Sequence, residues 1–193
     1  MLAAAAVMPL ARGAVPRSTQ AQPYGTDPNL QITYHPGDLW PLTFSAAHRQ
    51  LARILCDAII PADATSPGAA DVGVVDFIDE WISAPYPVQR ADRALVLNGF
   101  AWLESQATRR FSKAYADLAP NQVRNICDDI CYLPQARPEF RTAAAFFARY
   151  RDLTTGGFYT TPQGRADLRY VGNTPLPRFD GPPPDVLRQV GLI

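Results

Sequence analysis

Leu51-Ala-Arg-Ile-Leu-Cys-Asp-Ala-Ile-Ile-Pro-Ala-Asp-Ala-Thr-Ser-Pro-Gly-Ala-Ala-Asp-Val-Gly-Val-Val-Asp-Phe-Ile-Asp-Glu-Trp81 reads as two helices joined by a turn. Leu51, Ile54, Leu55, Ala58 and Ile59 recur at helical spacing. Pro61 ends that helix, because it has no N–H to donate and its ring clashes with the preceding turn. The Pro, Gly and Ser residues that follow make the turn. Asp71 then stands where it can cap a second helix, whose apolar stripe is Val74, Phe77, Ile78 and Trp81.

Four more segments extend this pattern. Upstream, Ser45 is placed to cap the first helix, Ala46 to Ile60, with Phe44 as a staple residue. The second helix is expected over about Val72 to Ala84, stopping before Pro85 and Pro87. A third, about Val88 to Ala107, is apolar on nearly all sides through Leu95, Val96, Leu97, Phe100, Ala101, Trp102 and Leu103, which predicts a central place in the bundle. Asn98-Gly99 inside it predicts a close crossing, since glycine there costs about 1 kcal/mol relative to alanine. Phe111 to Leu118 reads as a short helical turn. The fourth helix, Pro120 to Leu133, would bury Val123, Ile126, Cys127, Ile130 and Cys131 on one stripe. The fifth, Pro138 to Leu153, would bury Phe140, Ala143, Ala144, Phe146, Phe147 and Tyr150, with Gly156-Gly157 closing it.

The fold class expected is therefore all-α, an irregular bundle of about five helices with extended proline-rich N- and C-terminal arms. At 193 residues and 47% hydrophobic content, residues 43–193 suffice for one domain with a core. Residues 1–14 hold an apolar run of signal-peptide length with Ala11-Arg-Gly13 as a small-x-small cleavage site, but no basic flank. A truncated export signal, its true start upstream, is expected there, with an alanine-rich frayed helix as the alternative. Residues 15–42 read as an extended arm anchored by Tyr24, Tyr34 and Trp40. After Gly156 the pattern turns irregular as far as Pro184, ending in a short helix from Pro184 to Val190.

Charge and chemistry narrow the function. Lys and Arg total 18, as do Asp and Glu, so no net field draws the chain to nucleic acid or an anionic surface. No stretch reaches the ~18 apolar residues of a membrane span. His35 and His48 are too few and too far apart for a zinc triad, and no Gly-x-Gly-x-x-Gly follows a strand to hold FAD or NAD. Ser45 beside His48 reads as a cap, and Asp57, Asp63 and Asp71 as turn residues rather than a calcium loop. Asp76, Asp79 and Glu80 share a helix face, where paired carboxylates could do acid–base work or simply meet solvent and basic partners. Cys56 lies off its helix's main stripe and could bond Cys127 or Cys131, leaving one thiol over; free buried thiols are the other reading. Phe158, Tyr159, Tyr170, Asn173 and Phe179 fall in the irregular segment 156–184, whose composition suits a docking arm or padding at the end of the bundle.

Asp57-Ala-Ile-Ile-Pro-Ala-Asp63, Pro67-Gly-Ala-Ala-Asp-Val-Gly-Val74 and Phe77-Ile-Asp79 together resemble the gluconate 2-dehydrogenase subunit 3 family. Gly157-Phe-Tyr-Thr and Arg169-Tyr-Val-Gly-Asn173 resemble later motifs of the same family, with Arg169 standing where a glycine is usual. The resemblance implies a small subunit without catalytic, metal or cofactor residues of its own, in a periplasmic, membrane-associated dehydrogenase. Its partner would be a glucose-methanol-choline (GMC)-type flavoprotein carrying FAD and oxidising a sugar, sugar acid or glycoside, often with a multihaem cytochrome c as third subunit. The resemblance further implies help in folding that flavoprotein and export by the twin-arginine route, and it favours partner contact for the 156–184 segment. Two other classes stay open: a free-standing helical enzyme using the Asp76/Asp79/Glu80 face, and a scaffold protein unrelated to redox chemistry.

Overall fold

Among the described residues the helical periodicities become seven helices: α1 (Ala46–Ile59), α2 (Val74–Ser83), α3 (Pro87–Phe111), α4 (Pro120–Asp128), α5 (Arg141–Thr160), α6 (Pro162–Asp167) and α7 (Pro184–Gln189). Five have seven residues or more, and there is no strand among the described residues, so the all-α class holds. The computed structural model describes residues 31–170, 172, 178 and 181–193. The unit considered below runs from Tyr34 to Ile193. The export signal read at 1–14 and the first part of the arm, with Tyr24, lie outside the described residues.

α5 is the hub and touches α1, α2, α3 and α6. Glycines make this possible. A methyl group on Gly99 of α3 would overlap the Phe146 ring of α5, and one on Gly157 of α5 would come within 2.8 Å of Phe77 on α2. Around the first crossing an aromatic cluster forms, with Phe100 against Phe44, His48, Phe146 and Tyr150 at ring-centroid distances of 5.3 to 6.1 Å. Asn98-Gly99 thus marks a close crossing, as its cost in helix propensity implied.

The opening motif folds as read, with a different cap. Ser45 Oγ accepts from the His48 N–H at 3.2 Å and starts α1. In the turn, Asp57 Oδ1 accepts from the Ala70 N–H at 3.0 Å, and Gly68 lies so close that a methyl there would come within 2.8 Å of that carboxylate. Asp63 Oδ1 collects the Thr65 and Ser66 N–H groups at 2.7 and 2.8 Å. Asp71 does not cap α2. A 3₁₀ turn, Ala69–Val72, intervenes; Asp71 pairs with Arg53 at 2.9 Å, and Gly73, at φ +84°, takes the cap position.

Three other expectations are corrected. α3 is not the centre: Ala91, Ala94, Asn98 and Ala101 form a wet face, because alanine counts as apolar yet costs little to expose. α4 stops at Asp128, ahead of Pro134 in the next 3₁₀ turn, so Cys131 leaves the buried stripe and is exposed. α5 passes through Gly156-Gly157 to Thr160, since Gly157 serves packing against α2 rather than termination.

These placements separate glycines that the fold requires from one it does not. Gly99→Ala should destabilise the chain by about 1–3 kcal/mol through overpacking against Phe146. Gly156→Ala, where nothing lies within 4 Å of the added methyl, should stabilise it by up to about 1 kcal/mol. Urea denaturation of the two variants beside the parent checks both signs.

Candidate partner-docking site

The three carboxylates on α2 are positioned by that helix and taken up by the Arg49 guanidinium and by backbone N–H groups of the segment before α1. Asp79 is fully buried; its Oδ1 accepts the Thr43 and Phe44 N–H groups at 2.9 Å each, and its Oδ2 takes Arg49 Nη1 at 3.0 Å. Asp76 pairs with the other guanidinium nitrogen of Arg49. Glu80 Oε2 accepts from the Gly37 N–H at 2.9 Å, while the Glu80 carbonyl accepts from Trp40 Nε1 at 3.2 Å. Trp40 is therefore an anchor of the arm, as its aromatic character suggested. The group acts as a clamp holding residues 37–44 onto α2.

A second buried acid was not singled out by the sequence. Asp92 on α3 accepts from Trp81 Nε1 at 2.7 Å and from Arg149 of α5 at 2.6 and 2.9 Å. Burial pushes its carboxyl up, but the bonds from Arg149 and Trp81 outweigh that and hold it below the usual carboxylate range. Among the described residues no three His, Cys, Asp or Glu side chains gather as a metal cluster.

The expected docking arm divides in two. Gly157 to Gly164 forms a tight corner between α5 and α6. Phe158 is fully buried and stacks edge-on with the half-buried Tyr159 at 5.1 Å; Thr161 Oγ1 caps α6 through the Gly164 N–H at 3.0 Å; Gly164 lies directly against the Phe158 carbonyl. Phe158 is thus a core residue here, not a surface contact. Beyond α6, Leu168 and Tyr170 are exposed, at 58% and 59%. Arg169 between them sits at φ +53° and closes α6, its N–H donating to the Ala166 carbonyl and that of Tyr170 to the Arg165 carbonyl, both at 2.9 Å. That left-handed conformation is why a glycine suits position 169. Asn173 and Phe179 lie outside the described residues.

The cysteines do not pair: all three are free thiols in this structure. Cys56 Sγ lies 3.5 Å from Tyr150 Oη, and Cys127 Sγ 3.7 Å from Tyr115 Oη, so each buried sulfur faces a phenol. Burial pushes both thiols up to about 11. Cys127 and Cys131 also border a groove of about 490 Å³ between α1 and α4, floored by Ile54, Ala58, Val123 and Phe147 and rimmed by Asp57, Arg124 and Asp128. Sequence reasoning missed this groove. Its apolar lining is indistinguishable, in a single chain, from core.

The described residues thus form an all-α domain whose α2 acids clamp its own segments and which leaves an apolar groove and Tyr170 accessible. The family comparison gives the class of protein. Residues 46–177 match the model of gluconate 2-dehydrogenase subunit 3, and with more than half of its length matched the chain belongs to that family. The family implies a subunit of a dehydrogenase complex. No curated protein and no solved structure matches the chain, and no helix among the described residues is long and apolar enough to cross a membrane.

The thiols offer a direct check of this geometry. A maleimide or dithiobisnitrobenzoate titration of the native chain at neutral pH should find Cys131 alone reactive, with Cys56 and Cys127 joining only on denaturation. Mass mapping of the labelled peptide identifies which thiol reacted.

Proposed function

We propose that this chain is the cofactor-free, non-catalytic small subunit of an exported flavin-dependent dehydrogenase. Its partner is a GMC-type flavoprotein that carries FAD and oxidises a sugar, sugar acid or glycoside, and a multihaem cytochrome c takes the electrons onward where the complex has a third subunit. The small subunit assists the folding and stability of the flavoprotein and accompanies it through the twin-arginine route to the periplasm, where the complex associates with the membrane.

The observation that carries this reading is the commitment of Asp76, Asp79 and Glu80. A free-standing enzyme working from that face needs a carboxylate free to meet substrate. Asp79 has no exposed surface and Asp76 shares Arg49 with it, while Glu80 holds Gly37. Among what the fold leaves accessible are large apolar and aromatic side chains, including Leu168 and Tyr170 at the end of α6, and aromatic residues make good contacts for another protein. Within the proposed arm, Tyr170 and half-buried Tyr159 are the described side chains that could meet the flavoprotein, with Asn173 and Phe179 further along.

Co-expression tests the proposal. The flavoprotein produced without this chain should be poorly soluble, mislocalised or low in FAD, and should recover when the chain is supplied, because binding the folded state stabilises it by mass action. The purified chain by itself should be colourless and without dehydrogenase activity. Tyr170→Ala should weaken co-purification by about 2 kcal/mol if the ring fills a desolvated pocket, with the helical circular dichroism of the chain unchanged. Equal yield and activity of the flavoprotein with and without the chain would refute the reading.

A further inference from the structure

Two features of the chain are uncovered, and they complement each other. The first is α7. It has six residues and buries none of them, yet both of its ends are defined by sequence. Pro184 opens it. Gly191, at φ +73°, closes it, with the Leu192 N–H donating to the Leu187 carbonyl at 2.9 Å and the Gly191 N–H to the Arg188 carbonyl at 3.1 Å, the two bonds of a Schellman stop. A helix this short does not persist in water unaided, because nucleation costs more than its few bonds return. Its Val186 and Val190, with Leu192 and Ile193 after it, are 42, 61, 70 and 68% exposed.

The second is the groove between α1 and α4. Its apolar floor has open volume of about 490 Å³, and two charges on its α4 wall, Arg124 and Asp128, have no ion pair or side-chain hydrogen bond among the described residues. α7 carries the opposite order of charge, Asp185 then Arg188, and these too are unpaired among the described residues. Laid parallel to α4, α7 sets Asp185 beside Arg124 and Arg188 beside Asp128. The rises involved, about 4.5 Å on α7 and about 6 Å on α4, differ by less than flexible side chains span. Laid antiparallel, like charges meet. The match therefore fixes direction as well as place.

We propose that the groove receives α7 of a second copy of this chain, exchanged reciprocally about a two-fold axis, so that the free subunit is a homodimer. Each copy covers the other's exposed valines, and each groove is filled once. This goes beyond the subunit reading, since it concerns the chain before any catalytic subunit is present.

Sedimentation velocity and light scattering of the full chain, from about 1 to 100 µM, test it. The parent should be a dimer across the upper part of that range. Arg188→Glu should raise the dimer dissociation constant about tenfold, and adding Asp128→Arg to it should recover most of that loss. Val186→Asp should leave monomer alone. Because α7 buries none of its residues within its own chain, the α7 variants should keep the parent's circular dichroism apart from those six residues and unfold cooperatively at the melting temperature of the parent diluted until it dissociates, and that control separates lost association from lost folding. A monomer throughout the range overturns the proposal, as does a dimer indifferent to Arg188→Glu and Val186→Asp. A monomeric chain whose amides over 184–193 gain hydrogen-exchange protection only with the flavoprotein also overturns it, and assigns α7 to that subunit.

Discussion

Asp79 carries its charge where no water reaches, and the chain around it is arranged to keep that charge bound. An unpaired carboxylate so deep would cost several kcal/mol. Here the donors come from three places: the Thr43 and Phe44 N–H groups just before α1, the Arg49 guanidinium on α1, and the more distant Ser83 hydroxyl at 3.5 Å on α2 itself. Satisfying the carboxylate therefore requires α1 to begin against α2. Glu80, the next residue, extends the grip to Gly37 and Trp40, so the course of residues 37–44 follows from the same helix face. Once α1 and α2 are set, Phe44 reaches Phe100, and the aromatic cluster that seats α5 can close.

How much of this could be read beforehand depends on whether a residue's role is local. Ser45, Pro61 and the Asp57 to Gly68 turn act on backbone within a few residues, and they were legible. Gly157 was not. A glycine that ends a helix and one that lets another helix approach look alike in sequence, and only the presence of Phe77 on a distant segment decides between them. The same ambiguity misplaced α3. Its run of apolar letters includes alanines that the surface tolerates, so hydrophobic content alone pointed inward where the packing of Val96, Phe100 and Leu103 covers only one side.

The candidate site was less legible than the fold, for a related reason. An interface carries no signature of proton transfer or ligation; it is apolar and aromatic, as a core is. Phe158 and Tyr170 sit in one stretch of similar composition, yet the first is sealed under the α5–α6 corner and the second stands in solvent. What separates them is the Thr161 cap and the contact of Gly164 with the Phe158 carbonyl, which turn the chain back before Leu168. The family motif gave the kind of protein. It did not give which face meets the partner, because that motif records the turn geometry of Asp57, Asp63 and Gly68 more than any contact surface.

Arg169 shows how these constraints bear on function. The corner that buries Phe158 is closed after α6 by a left-handed residue, and glycine would adopt that conformation freely. An arginine there strains the backbone by about 1–2 kcal/mol, a cost borne in every copy of the chain whether or not a partner is bound. It also places a guanidinium, in sequence, between two exposed residues with apolar surface, Leu168 and Tyr170, just past α6. A charge flanked by apolar side chains is poorly placed to help the fold and well placed at a rim, where arginine is enriched because its planar group can stack and donate at once. On the docking role proposed for the 156–184 segment, position 169 belongs to a contact surface that would begin at the end of α6.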